Sequence, residues 1–333
     1  MTSTIAVNLP AAPEGWFDVS YAICADGTLA RIQASVDVRA AFRARQERAM
    51  AGVLEPGETQ RPVFPLETLA RIVVFDGEAE ATACQFTLEA GHPRFDRLPD
   101  GRWVVADSRC PRGALNARLI EANGSVVRRF CLGDGIMHLQ CDNAGNVWVG
   151  YFDEGVFGNF GWGGPDGPEP IGAPGLVKFS PDGEVRWAHD TREAVALGYS
   201  IDDCGALNVR DGEVWCCFYG DHAGGEATYP VLRIAGDDET VWRTPLWLVD
   251  AIAVEGDVIT GISNAPNEPY WVTSVRLGDS SASKIAEVEL AAFGILPGHP
   301  DAIMGRGSRL HVVKDGRWLS LTAEDVAGAA LRT

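Results

Sequence analysis

Residues 131–187 read CLGDGIMHLQCDNAGNVWVGYFDEGVFGNFGWGGPDGPEPIGAPGLVKFSPDGEVRW. Val147-Trp148-Val149 and Leu176-Val177-Lys178-Phe179 carry the period-2 pattern of strands. Asp142-Asn143-Ala144-Gly145 and Asp182-Gly183 put residues that tolerate positive φ where tight hairpins need them. The stretch therefore predicts one four-stranded antiparallel unit: a hairpin, a long Gly-rich crossing after NVWVGY, and a return hairpin.

The unit recurs along the chain. With Trp148 as the reference residue, the matching positions are Leu29 (CADGTL), Trp103 (PDGRW), Trp215 (RDGEVW), Ile259 (EGDVI) and Leu310 (GRGSRL). The intervals between them are 74, 45, 67, 44 and 51 residues, a period of 44 to 51 with two enlargements. From Leu310 through the chain ends back to Leu29 is 52 residues, one more period. Spacing of this size with four strands per repeat predicts an all-β fold, a six-bladed β-propeller occupying residues 1–333 as one domain. The sixth blade lacks its outer strand, and Thr4–Leu9, alternating and ending at Pro10, is expected to supply it and so remove two open edges. The competing reading of that segment is a disordered leader.

Insertions fill the enlarged intervals, at about 38–62 and 152–174. Val38 to Val53 reads as a helix with Val38, Ala41, Phe42, Ala49, Met50 and Val53 on one side and Arg39, Arg43, Arg45 and Arg48 exposed, either a lid or a helix packed on the rim. Phe152 to Pro174 is longer than the roughly 12 to 15 residues beyond which a loop tends to be functional or disordered. Its aromatics favour an ordered loop that covers its own blade or stacks on a ligand. Connections from the second to the third strand of a blade emerge on the same face as blade entries, so both insertions are expected to share one rim with a pocket.

A net charge of −18 and a pI near 4.7 oppose binding to nucleic acid, where Lys and Arg must displace counterions. No basic start followed by an apolar run and no long apolar segment occurs, so no membrane partner and a cytoplasmic location are expected. The eight cysteines fall in no CxxC or zinc-type spacing and read as free thiols of a reducing compartment. Cys204, beside Asp202 and Asp203, reads as a strand thiol, since no histidine is placed by sequence to activate it. GxSxG, HExxH, Walker and GxGxxG signatures are absent.

The repeats DNAGNVWVGYFDEG and VKFSPDGEVRW resemble those of the NHL and SMP-30/gluconolactonase-like six-bladed propellers. The chain is also similar to a group of bacterial propellers of unassigned function that carry a VWVGYFDEGVFGN-like segment, here Val147 to Asn159, before an ALNV-like blade entry, here Ala206 to Val209. The resemblance implies the fold. In SMP-30-type lactonases a divalent metal sits in the channel mouth among carboxylate and amide side chains. Asp134-Gly135 looks like their Asp-Gly entry but lies 14 residues before Trp148, farther than the pattern requires, so no catalytic residue is carried over.

Blade-entry alignment supplies the candidate site. GHPRFDRLPDGRW and GHPDAIMGRGSRL place His92 and His299 each 11 residues before the reference residue, and hairpin lengths put Asp18 and Asp203 at that level. Two residues further along stand Ser20, Arg94, Met137, Gly205, Asp250 and Asp301, on the same face because inner-strand side chains alternate between the channel and the blade interior. His92, His299, Asp18 and Asp203 are thus expected as ligands of a divalent metal such as Zn, Mn or Ca, with Asp18, Asp203, Asp250 and Asp301 as catalytic carboxylates. The competing reading makes Gly-His-Pro a plain turn. Arg94, His138, Phe152, Glu154, Phe157, Phe160 and Trp162 are the expected ligand contacts. Two functions compete: a metal-assisted hydrolase or lactonase acting on a small polar substrate, and a non-catalytic propeller binding a protein, peptide or small ligand.

Overall fold

A computed structural model describes residues 4–53, 67–77, 79–191, 199–210, 212–220, 229–263, 268–295 and 297–332. Strand β1 (Ile5–Asn8) precedes blade 1, formed by β2 (Phe17–Ile23), β3 (Leu29–Ala34), β4 (Glu67–Phe75) and β5 (Glu80–Glu89). Blade 2 is β6 (Pro93–Arg97), β7 (Trp103–Asp107), β8 (Ala117–Ile120) and β9 (Val126–Phe130). Blade 3 is β10 (Ile136–Cys141), β11 (Val147–Tyr151), β12 (Leu176–Phe179) and β13 (Val185–Ala188). Blade 4 is β14 (Asp203–Arg210), β15 (Glu213–Tyr219), β16 (Val231–Ala235) and β17 (Asp238–Trp242). Blade 5 is β18 (Val249–Glu255), β19 (Val258–Ser263), β20 (Trp271–Leu277) and β21 (Ala282–Glu289). Blade 6 is β22 (Ala302–Arg306), β23 (Arg309–Lys314) and β24 (Arg317–Leu321), completed on its outer edge by β1. The six antiparallel sheets make a six-bladed β-propeller.

Each blade hides its apolar faces against its neighbours. Ile32 and Ile72 of blade 1 pack with Phe95, Trp103 and Val105 of blade 2. Ala106 and Leu119 of blade 2 meet Leu139 and Val149 of blade 3. The ring is closed by Ile23, Leu29 and Phe75 of blade 1 against Val313 and Trp318 of blade 6. An ionic clasp joins blades 1 and 2: Glu89 accepts from Arg118 at 2.6 Å and from Arg129 at 2.6 Å.

β1 pairs with β24 through Ile5↔Ser320, Ala6↔Leu319, Val7↔Trp318 and Asn8↔Arg317. Of the apolar residues of the N-terminal segment only Leu9, just after the strand, is buried, whereas Val7 is half-buried and Ile5 is 41% exposed. Removing residues 1–9 should therefore cost about 2 kcal/mol, set mainly by Leu9, because an outer strand buries one flank only. Chemical denaturation of the truncated chain checks this, and an unchanged midpoint would contradict closure by β1.

Helix α1 (Val38–Met50) starts where expected, with Asp37 capping the Ala40 N–H at 2.9 Å. It ends three residues early, and Met50 and Val53 are exposed, because only Val38 is buried beneath it. The remainder of this insertion (54–66) and the 221–228 connection with its His222 lie outside the described residues. Helix α2 (Asp153–Phe157) orders the start of the blade 3 insertion. Helix α3 (Ala323–Ala330), small and polar in sequence, is set by a capping box between Thr322 and Asp325 and buries Val326 and Ala329 against blade 5.

Candidate functional site at the channel mouth

The inner strands β2, β6, β10, β14, β18 and β22 surround the axis. Part-way down, side chains close it. Asp96 accepts from the N–H groups of Cys141 and Arg97, each at 2.7 Å, and from Arg306 Nη1 at 3.3 Å. Arg306 also donates to Gln140 Oε1 at 3.0 Å and to the Cys141 carbonyl. Gln140 Nε2 reaches the carbonyls of Leu207 and Gly305 at 3.1 and 3.0 Å, and Asn208 Nδ2 those of Ile252 and Gly307 at 2.8 and 2.9 Å. A Cβ at Gly305 would stand 1.9 Å from the Ile252 oxygen, so glycine is required where the inner strands of blades 5 and 6 converge. These groups form a floor. Above it lies a cup of about 360 Å³, and below it a separate depression of about 500 Å³ that includes Arg306, Arg210 and Arg309 in its wall. The cup is within the range of small-molecule sites.

A belt of hydrogen bonds runs round the cup from blade to blade. Ser20 Oγ donates to the Pro93 carbonyl at 2.8 Å, Arg94 Nε to the Met137 carbonyl at 2.8 Å, and His138 Nε2 meets the Gly205 carbonyl at 2.9 Å. A carbonyl oxygen only accepts, so His138 carries its proton on Nε2. Burial pushes its pKa down to about 4, which keeps the ring neutral at pH 7. The belt stops before blade 5. Asp250 faces the cup there, half-buried, and no hydrogen-bond partner for its carboxylate occurs among the described residues. Burial raises its pKa to about 6, opposed by nearby His299. Tyr270 Oη lies 2.9 Å from His299 Nδ1, and its own pKa is raised by burial and then by Asp250. Asp301 accepts from the Asp315 N–H at 3.0 Å. From above, α1 extends Arg39 into the lining, where it donates to the Val19 carbonyl at 3.2 Å.

Of the residues expected from sequence, the cup brings together Arg94, His138, Asp250, His299 and Asp301. Asp18, His92 and Asp203 are elsewhere, and among the described residues no group of three or more His, Cys, Asp or Glu is arranged to hold a metal ion. The expected ligand set therefore does not fit a metal, and no step is routed through one. Bulges explain the two aspartates. An extra residue enters β2 between Asp18 and Ser20 and β14 between Asp203 and Ala206, reversing which face the earlier residue occupies. Asp18 consequently shares a face with Tyr21 and binds Arg31 at 2.9 Å and Gln33 Nε2 at 2.9 Å. Asp203 sits off the cup, raised to about 6 by burial and the charge of Asp153. His92 packs edge-on against Phe42 of α1, ring centres 4.8 Å apart. Blades 2 and 6 have no shift between their first two strands, and there residues two apart do share the channel face: Arg94 with Asp96, Asp301 with Ile303.

The aromatic insertion of blade 3 lies against blade 2 and does not line the cup. Arg109 holds it: its guanidinium bonds Asp134 through Nε and Nη2, each at 3.1 Å, reaches Glu154 at 2.5 Å, and lies 5.5 and 4.5 Å from the ring centres of Phe152 and Phe160. Trp162 Nε1 donates to the Cys110 carbonyl at 2.8 Å. Phe157 is 63% exposed. Arg39, Gln140 and Tyr270 line the cup and were missed. The signal for Tyr270 was present, since it stands in a connection from a second to a third strand.

No family model and no curated protein matches this chain. Solved structures resemble it. One is a catalytically inactive variant of virginiamycin B lyase from Staphylococcus aureus with quinupristin, at 10% identity and a TM-score of 0.46, covering 96% of this chain and 99% of that one. Another is the β-propeller domain of the Trilobed protease from Pyrococcus furiosus, at 8% identity and a TM-score of 0.46, covering 90% of this chain and 79% of that one. TolB from Acinetobacter baumannii matches at 15% identity and a TM-score of 0.38, covering 77% and 60%. The likeness is one of fold. Among the described residues no helix is long and apolar enough to cross a membrane.

Proposed function

We propose that this propeller is a hydrolase of small polar esters or lactones, with Asp250 as the general base. The reading is carried by one observation: Asp250 faces a closed-bottomed cup with no hydrogen-bond partner for its carboxylate among the described residues, and with a pKa of about 6. A base of that pKa is ionised at neutral pH and still accepts a proton in the transition state. In the proposed step Asp250 takes a proton from water as the water oxygen bonds to the acyl carbon. The proton returns to the departing alkoxide as the acyl C–O bond breaks. His299, steadied by Tyr270, stands beside Asp250 and favours its ionised form.

Hydrolysis of a panel of small lactones and esters tests this. Asp250→Asn should lower kcat by about 10²–10⁴-fold without loss of fold. The wild-type rate should fall as pH drops through 6, because the carboxylate protonates there. Equal turnover by the Asn variant would remove Asp250 from the mechanism, and small-molecule binding with no turnover by the wild type would favour the non-catalytic role.

A further inference from the structure

We infer that the molecule held in the cup carries a carboxylate, which docks on the wall formed by Arg94 and Arg39. The inference rests on the cup being the binding site, as proposed above, and adds what that site selects.

Among the described residues the buried arginines are each neutralised by a carboxylate: Arg31 by Asp18 and Glu80, Arg118 by Glu89, and Arg306 by Asp96. The two arginines of the cup are treated differently. Arg94 is half-buried, and among the described residues its one hydrogen bond is from Nε to the Met137 carbonyl; Arg39 likewise makes one there, to the Val19 carbonyl. Neither is paired with a carboxylate among the described residues. Burial lowers the Arg94 pKa, the charge of Asp107 opposes that and Arg39 adds to it, and both arginines act on His92, whose pKa is lowered first by burial and then by Arg94, Arg109 and Arg39. Two like charges held together in a wall, within a chain of net charge −18, make a locally positive surface that needs an anion.

Apart from Asp96, which the floor pairs with Arg306, the acids of the cup are on the far side. Around the six-bladed ring, blade 5 is opposite blade 2, so Asp250 stands across the axis from Arg94, and Asp301 projects from neighbouring blade 6. The gap between the charged walls is the cup itself. With Nε engaged, Arg94 presents the paired Nη groups of its fork, a geometry suited to the two oxygens of a carboxylate. A ligand anchored there extends towards Asp250, where the ester or lactone bond would lie.

Calorimetric titration with 4-hydroxybutyrate, its neutral amide and inorganic phosphate tests the assignment. The wild type should bind the carboxylate about 10-fold or more tightly than the amide, the usual scale for one charge-assisted pair. Arg94→Gln should remove that preference and Arg94→Lys restore part of it. Arg39→Gln, a change on the exposed helix above the inner strands, should reduce it several-fold. Asp250→Asn should keep it. Equal affinity for carboxylate and amide, or a preference unchanged in both glutamine variants, would overturn the inference, as would phosphate binding more tightly than the carboxylate. Retained carboxylate preference in a protein that hydrolyses no ester or lactone would sink the hydrolase reading alone.

Discussion

Arg306→Met is expected to destabilise the protein by about 3–5 kcal/mol, the cost of leaving one member of a buried ion pair without the other. Its Asp96 partner is 1% exposed and has its pKa raised by burial, with Arg306 the largest opposing influence. Two backbone N–H groups would still bond the carboxylate, but its charge would be uncompensated, and Cys141 and Gln140 would each lose a donor. The melting temperature should fall by about 4–7 °C. Adding Asp96→Asn should recover part of the loss, since the amide oxygen still accepts while the buried charge is gone. A melting temperature within a degree of wild type would show that the floor does not depend on this pair.

The second large effect is at the clasp between blades 1 and 2. Hydrogen bonds from Arg129 and Arg118 hold the Glu89 pKa down to about 2 from its ordinary 4.5. A difference of this size corresponds to about 3 kcal/mol of stability at neutral pH. Because the folded pKa lies below the unfolded one, this stabilisation is fully present above pH 4.5 and is lost as pH falls through 2. Glu89→Gln should therefore be about 3 kcal/mol less stable at pH 7, with the gap closing towards pH 2. Denaturant midpoints of both proteins across that range check the slope. Parallel curves would mean that Glu89 is not the titrating group.

The blade repeat was legible because it is written in local chemistry. Asp-Gly and Asn-Ala-Gly turns fix the hairpins, and Leu29, Trp103, Trp148, Trp215, Ile259 and Leu310 all fall on second strands. Closure followed from counting, and β1 lies inside the expected segment. The channel mouth was half legible. Arg94 and Asp301 follow regular pleating, but the bulges of β2, β10, β14 and β18 arise from how neighbouring strands pair, which the sequence of one strand does not specify. Hence Asp18 and Asp203 were placed on the channel face, while Asp250, the extra residue between Val249 and Ala251, was directed there by the bulge itself. The aromatic loop was misassigned for a different reason. Its partner Arg109 belongs to another blade, and neither residue announces a contact made only in the folded ring.

The pairing of Ile5 with Ser320 also sets the order in which the molecule can be completed. Blades 1 to 5 are each built from neighbouring hairpins and can assemble as the chain leaves the ribosome, but β1 has no partner until β24 has been made. At roughly 5–20 residues per second, that leaves β1 and the open flank of blade 1 waiting for about 15–60 s during every round of synthesis. Contacts this distant in sequence are also slow to form once both partners exist. The nascent protein thus passes through a crescent with two sticky ends, and its yield in a cell depends on keeping those ends apart from other chains until they meet each other.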